Sequence, residues 1–203
     1  MYFWDKWNNK NFYEEKRILA LIKIKDFLKD NYFDKIHSVF VGGSFQRREY
    51  TKNSDVDIWI IIDKDSNLDK IKLALKNECK AEIKLLKQEP NILSLESLKR
   101  GSYQNKIKNK MSPRRFVLLS HEFSLILGKS LPYHQLKEMT IKEAYEGMKK
   151  FILNSNLETF TNKEVNKLYL YLLYYKYKMK KKNLVYSFKS MKSIMKEEKT
   201  RTR

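Results

Sequence analysis

The chain has 203 residues, enough for one ordinary domain or for a catalytic domain with a small helical appendage. Its 43 Lys and Arg against 24 Asp and Glu give a formal charge of +19, which would attract phosphate-rich partners such as nucleic acid. Gly and Pro are too scarce for a fibrous or disordered chain. The bias towards Lys, Asn, Ile and Tyr is also typical of AT-rich coding sequence, so the charge alone does not establish binding.

The cysteine content and the hydropathy of the chain indicate its cellular compartment. Cys79 is the only cysteine, so an internal disulfide is excluded and a reducing environment fits. The first residues lack the apolar core of a signal peptide, and no later segment approaches about 20 uninterrupted apolar residues. We therefore expect a soluble, cytoplasmic protein without a membrane partner.

The first half of the chain predicts a helix followed by strands. Apolar residues recur at helical spacing over residues 13–33. A short β-branched run over residues 36–41 stops at Gly42-Gly43 and predicts a first strand, and residues 56–63 predict a second. A third strand is predicted over residues 79–86, where apolar and charged residues alternate.

The chain after Pro90 has the pattern of helices alone. Candidate helices lie at residues 92–107, 115–127, 136–153, 163–180 and 184–196. The stretch from Gly128 to Pro132 resembles a linker. We therefore predict an α+β fold, with a catalytic domain over residues 1–131 and an all-helical domain with a basic tail over residues 132–203.

Two motifs in the first half indicate phosphate chemistry. Gly42-Gly43-Ser44 ends the first strand, and glycines let a phosphate approach backbone N–H groups beside the Ser44 hydroxyl. Ten residues later the second strand opens with Asp55-Val56-Asp57. Residues two apart in a strand project to the same side, so the two carboxylates would offer hard oxygen ligands to Mg²⁺ or Mn²⁺.

These motifs resemble those of the DNA polymerase beta-like nucleotidyltransferase superfamily. The matching segments read VFVGGS, then FQRREYTKNS, then DVDIWIII, and later AEIKLL. The resemblance covers roughly residues 36–86 and is strongest to minimal nucleotidyltransferases with a GSxxRG turn followed by SDxD. It implies a mixed sheet with flanking helices and transfer of a nucleotide from an NTP, with ATP as the expected donor.

The resemblance also implies roles for individual residues. The nucleotide would be bound by Gly42, Gly43, Ser44, Arg47 and Ser54. Two divalent ions, Mg²⁺ or Mn²⁺, would be held by Asp55, Asp57 and Glu82, with Glu82 as the third acid and base. Arg48 stands where many relatives have glycine, and the third acid is Glu where Asp is commoner. The outward position of a half-buried strand is also the usual place for a solvated charge such as Glu82.

The acceptor of the nucleotide is left open by the sequence. The basic charge favours RNA, for example a tRNA end. The small size and the turn motif favour an antitoxin-type enzyme that modifies a helical partner protein, and an aminoglycoside is a third candidate. An inactive nucleic-acid-binding module is the alternative from another class. Residues 176–203 carry eleven Lys and Arg against two Glu, which fits either a solvated tail or a phosphate-binding strip.

Overall fold

The computed structural model describes residues 1–103, 111–181 and 183–201. Within these ranges there are nine α-helices and four β-strands. In chain order they are α1 Phe12–Tyr32, β1 Ile36–Gly42, α2 Gly43–Gln46, β2 Asp57–Ile62, α3 Leu68–Glu78, α4 Lys80–Leu86, β3 Asn91–Ser94, α5 Leu95–Arg100, α6 Pro113–Ser120, β4 Ser124–Gly128, α7 Ile141–Asn154, α8 Asn162–Lys178 and α9 Phe188–Arg201. The predicted α+β class, first helix and first two strands are confirmed.

The four strands form one mixed sheet in the order β3-β2-β1-β4. β1 pairs antiparallel with both β2 and β4, whereas β2 pairs parallel with β3. The register of β1 and β2 places Gly42 opposite Asp57. The glycine turn and the acidic motif therefore meet at the same end of the sheet.

Helices cover both faces of the sheet, which explains why β2 is apolar without interruption. On one face α1, α3 and α4 enclose a core that includes Leu21, Val39, Val41, Ile58, Ile60, Ile71 and Leu86. On the other face α5 and α6 enclose a core that includes Phe40, Trp59, Ile61, Leu93, Leu98, Phe116 and Val117. Since side chains alternate along a strand, Asp57 belongs to the α6 face together with Trp59.

The strand predicted over residues 79–86 is wrong, because this segment forms α4. The segment has helical spacing as well as alternation of apolar and charged residues. Cys79, Ile83 and Leu86 are spaced four and three apart, and these are the side chains that pack into the α1 core. Leu85, an apolar residue of the alternating set, is 44% exposed. Packing against α1 thus selects the helix.

Two further strands lie in the region predicted to be helical. β3 opens the segment predicted as a helix over residues 92–107, of which residues 104–107 lie outside the described ranges. β4 occupies the second half of the helix predicted over residues 115–127. Both are four or five residues long, too short for a periodic signal. Pairing with β2 and β1 stabilises them.

The chain divides into two compact units, residues 1–138 and 139–203. Residues 132–138 belong to the first unit, in which Leu131 is buried and Tyr133 and Leu136 pack beside it. In the second unit α7 packs against α8 and α8 against α9. The tyrosines of α8 contribute to this packing, and Tyr174 and Tyr175 are fully buried. Of the predicted basic tail, Lys182 and residues 202–203 lie outside the described residues.

In the described ranges, every helix is too short or too polar to cross a bilayer. The one cysteine, Cys79, is a buried free thiol. Burial raises the pKa of this thiol to about 11, and the nearby Glu82 and Glu78 carboxylates add to the effect.

Candidate active site

The turn after β1 and the acid that opens β2 are in direct contact. Gly43 has a φ of +73°, a conformation that residues with a Cβ rarely adopt. A Cβ atom on Gly43 would lie 1.9 Å from Oδ2 of Asp57. Glycine is therefore required here twice, for the backbone conformation and for the approach of the carboxylate to the main chain.

The second acid, Asp55, lies just before β2. Val56, between the two acids, is buried in the α1 core, whereas Asp55 is exposed and Asp57 is partly exposed. Burial lowers the pKa of the neighbouring Arg17 guanidinium, and electrostatic interactions with Tyr50 and Asp55 oppose that shift. Both acids of the motif are thus reachable from solvent at the end of the sheet where the glycine turn lies.

The other predicted nucleotide-binding residues lie in the same loop. Arg47 ends α2, and its Nε donates to Glu49 Oε2 at 3.1 Å, with both side chains about one-fifth exposed. Ser44 is partly exposed. The Ser54 hydroxyl accepts a hydrogen bond from the backbone N–H of Thr51 at 2.9 Å. Ser54 therefore stabilises the turn before Asp55.

Residues at the start of β4 support the turn from the α6 face. The Phe123 ring lies so close to Gly42 that a Cβ there would be 2.6 Å from it. Gln46 Nε2 donates to Ser124 Oγ at 3.1 Å, which joins α2 to β4. Sequence reasoning missed these contacts because it assigned residues 115–127 to a helix.

Glu82, the predicted third acid, does not join Asp55 and Asp57. It lies on α4, on the opposite face of the sheet from the one that Asp57 shares with Trp59. Its Oε1 forms an ion pair with Lys23 Nζ of α1 at 3.3 Å. No cluster of three or more His, Cys, Asp or Glu side chains suited to a metal ion occurs in the described part of the chain. Of the three predicted acids, Asp55 and Asp57 lie together at this end of the sheet.

A different acid, Glu89, comes just before β3, the strand that pairs with β2. β3 begins at Asn91, which pairs with Trp59 of β2. Because the two strands are parallel, Glu89, two residues before Asn91, is level with Asp57, two residues before Trp59. Glu89 is exposed, and it comes just after the left-handed residue Lys87 that ends α4. The sequence signal for this acid was the Glu-Pro pair before a very short apolar run.

Comparison with known proteins agrees with this arrangement. Residues 21–117 match a model of the nucleotidyltransferase domain family. This stretch contains the whole of β1 to α5, with the glycine turn and both acids. Over these residues the chain is similar to nucleotidyltransferase domains. The predicted resemblance is therefore confirmed at the level of the superfamily.

The nucleotidyltransferase fold is also found among solved structures. The chain is similar to a spectinomycin adenyltransferase from Enterococcus faecialis, whose crystal structure contains ATP and spectinomycin. The sequence identity is 12%, the TM-score is 0.55, and the match covers 89% of this chain and 87% of that chain. No curated protein sequence matches this one. At this identity the likeness establishes the fold alone.

Proposed function

We propose that the chain transfers a nucleoside monophosphate from an NTP to an acceptor hydroxyl and releases pyrophosphate. The observation that carries this proposal is the contact between the Asp57 carboxylate and Gly43, with Asp55 two residues away. A glycine turn can receive a triphosphate at its backbone, and adjacent carboxylates can hold the cation that accompanies it. In this proposal ATP is the donor, as in the ligand set of the similar structure.

The donor atoms of the site fit a magnesium ion. Asp55 and Asp57 supply hard carboxylate oxygens, and Mg²⁺ is commonly bound by one or two carboxylates together with substrate phosphates. A bound Mg²⁺ would neutralise charge on the triphosphate and polarise its oxygens. Two carboxylates together with the triphosphate would hold one ion, so a second ion of the predicted pair would depend on a further acid such as Glu89.

The remaining residues bind and orient the substrate in this proposal. Gly43 and Ser44 donate hydrogen bonds to the triphosphate, and the Arg47 guanidinium offsets its charge. Glu89 replaces Glu82 as the group that accepts the proton of the attacking hydroxyl. This role is supported by the position of Glu89 just before β3, because β3 pairs with β2, the strand that Asp57 opens.

Substitution of the two acids tests the reaction. Asp57→Asn keeps the shape of the side chain and removes its charge. Because the site then loses several kcal/mol of charge stabilisation, the transfer rate should fall at least about 100-fold. Asp55→Asn should act in the same direction. The measurement is release of labelled pyrophosphate from an NTP with Mg²⁺ and total RNA or small acceptors. If either variant transfers at the wild-type rate, the assignment of the site is wrong.

A matched pair of glutamates tests the third acid. Glu89→Gln should lower the transfer rate at least about tenfold, since a positioned general base contributes roughly 100-fold or more. Glu82→Gln should leave the rate unchanged, because Glu82 pairs with Lys23 on the other face of the sheet. The reverse result would restore Glu82 as the third acid and overturn the role of Glu89.

Two acceptor classes have independent support. The charge of +19 favours RNA, because phosphate contacts with Lys and Arg release counterions. The structural similarity over most of both chains favours a small hydroxylated molecule, as in the spectinomycin enzyme. Of the two we propose RNA, since a chain with this excess of cations repels a cationic drug.

A labelling experiment distinguishes the acceptors. The full chain is incubated with α-labelled ATP and Mg²⁺, first with total RNA and then separately with spectinomycin and other aminoglycosides. Label on RNA supports the proposal, and label on the drug supports the second candidate. Label on a protein would indicate the antitoxin-type reaction. If no NTP is bound or consumed with any acceptor, the enzyme proposal fails.

A further inference from the structure

The loop that joins the glycine turn to the two acids is tied to α1 by an ion pair between the buried Glu14 carboxylate and the Arg48 guanidinium, which is 36% exposed. Arg48 Nε donates to Glu14 Oε1 at 2.8 Å, and its Nη2 donates to Glu14 Oε2 at 3.1 Å. Nη2 also lies 3.1 and 3.0 Å from the carbonyl oxygens of Asn8 and Asn9. The Glu14 side chain is 2% exposed. One guanidinium thus joins the loop, the N-terminal segment and the start of α1.

The backbone at Arg48 is in a conformation that favours glycine. Its φ is +57°, in the left-handed region, where a residue with a Cβ is disfavoured. The guanidinium also lies 5.3 Å from the centre of the Trp7 ring. An arginine at a position suited to glycine indicates that its side-chain contacts outweigh the backbone cost.

A second arginine from α1 reaches the part of the loop just before the acids. Arg17 is 3% exposed, and its Nη2 donates to the carbonyl oxygens of Ser54 at 2.5 Å and Lys52 at 3.1 Å. The guanidinium packs beside two aromatic rings, 5.2 Å from the centre of the Tyr50 ring and 5.8 Å from that of Phe45. Arg17 therefore holds the main chain directly adjacent to Asp55.

The chemistry of these contacts points to control of geometry. An ion pair with one buried and one exposed partner contributes little net stability, because the attraction must first offset the desolvation of the Glu14 carboxylate and is screened by solvent at Arg48. Its forked, multiple hydrogen bonds do impose one geometry on the groups they join. The groups joined here are α1 and the loop of residues 48–54, which lies between the glycine turn and Asp55.

We propose that Arg17 and the Arg48–Glu14 pair are positioning residues that fix this loop on α1 and so set the location of Asp55 and Asp57 relative to the glycine turn. The proposal rests on the proposed nucleotidyl transfer for its effect on rate. Arg17, Arg48 and Glu14 are not among the residues to which the proposed reaction assigns a substrate contact.

Conservative substitutions with a matched control test the proposal. Arg48→Lys and Arg17→Lys keep the charge but lose the fork, and Glu14→Gln keeps the shape but loses the charge. Arg100→Lys is the control, because Arg100 forms a similar ion pair with Asp65 at 2.7 Å and is about equally exposed. We expect about a tenfold or greater fall in kcat for the first three variants and none for the control, since small displacements of reacting groups are costly.

Hydrogen exchange provides a readout that does not depend on activity. In the first three variants, amide protection should fall over residues 49–56 while that of β1 and β2 stays at the wild-type level. Protection of that loop equal to the Arg100→Lys control would overturn the proposal, and so would a loss spread over the whole sheet. If the wild-type protein shows no transfer, the proposed function fails, but the exchange comparison still decides the positioning role.

Discussion

Glycine at position 43 is the residue on which the site depends most sharply. Its positive φ costs a residue with a Cβ roughly 1–2 kcal/mol, and the added atom would also collide with the Asp57 carboxylate. Gly43→Ala should therefore lower the free energy of unfolding and weaken Mg²⁺-dependent ATP binding, as measured by urea unfolding and calorimetry.

A second glycine supplies the control for that substitution. Gly147 lies inside α7, and a Cβ there would meet no atom within 4 Å. Gly147→Ala should stabilise the protein by roughly 0.5–1 kcal/mol, because alanine loses less backbone entropy in a helix. ATP binding should be unchanged. Similar effects of the two substitutions would show that the Gly43 contact with Asp57 does not matter.

The thiol of Cys79 gives a simpler test at the residue scale. Its pKa of about 11 leaves almost no thiolate at neutral pH, and the residue is buried. A thiol reagent at pH 7 should therefore label the native protein very slowly and the urea-unfolded protein fast. Rapid labelling of the native form would contradict the packing of Cys79 between α3 and α4.

At the scale of elements, the start of α1 should make stability depend on pH. Burial alone raises the pKa of Glu14, but hydrogen bonds from Arg48, the Asn11 backbone N–H and Tyr50 outweigh it and lower the pKa below 4.5. A lowered carboxyl pKa stabilises the fold above the unfolded value, and this contribution is lost as the pH falls through the folded pKa.

Urea unfolding between pH 3 and 7 measures that contribution. The difference in unfolding free energy between wild type and Glu14→Gln should be constant from pH 7 to about 5 and should shrink below about 4.5, where the unfolded carboxyl begins to bind protons. The control is Glu15→Gln, at an exposed position on the same helix. A difference that stays constant down to pH 3 would mean that the Arg48 pair does not stabilise the folded state.

On the scale of the whole molecule, the positive charge is distributed unevenly. Residues 139–203 contain 16 Lys and Arg against 6 Asp and Glu, about half of the net charge in a third of the length. If RNA is the acceptor, Lys180→Gln with Lys181→Gln should reduce the slope of log affinity against log salt by up to about 0.7 per lysine. Both lysines are exposed.

A charge-matched control separates a binding strip from general attraction. Lys70 and Lys72 are exposed on α3 of the first unit, so their double replacement by Gln removes the same charge. Affinity is measured by RNA binding at several salt concentrations. An equal loss of slope in both double variants would indicate attraction by net charge, without a preferred strip in the second unit.

The first two strands, the first helix and the glycine turn beside Asp57 could all be predicted from the sequence. Their signals are local: β-branched runs, helical periodicity over 21 residues, and a Gly-Gly-Ser turn at a fixed spacing from two acids. The contact between Gly43 and Asp57 follows from antiparallel pairing of adjacent strands, which keeps neighbours in sequence close in space.

Only the tertiary structure decided which segment pairs with β2 on the side away from β1. Residues 79–86 fit both a strand and a helix, and packing of Cys79, Ile83 and Leu86 against α1 selects the helix. β3 is four residues long and depends on parallel pairing with β2, a long-range interaction with no periodic signal in the sequence. That pairing removes Glu82 from the site and makes Glu89 the candidate third acid.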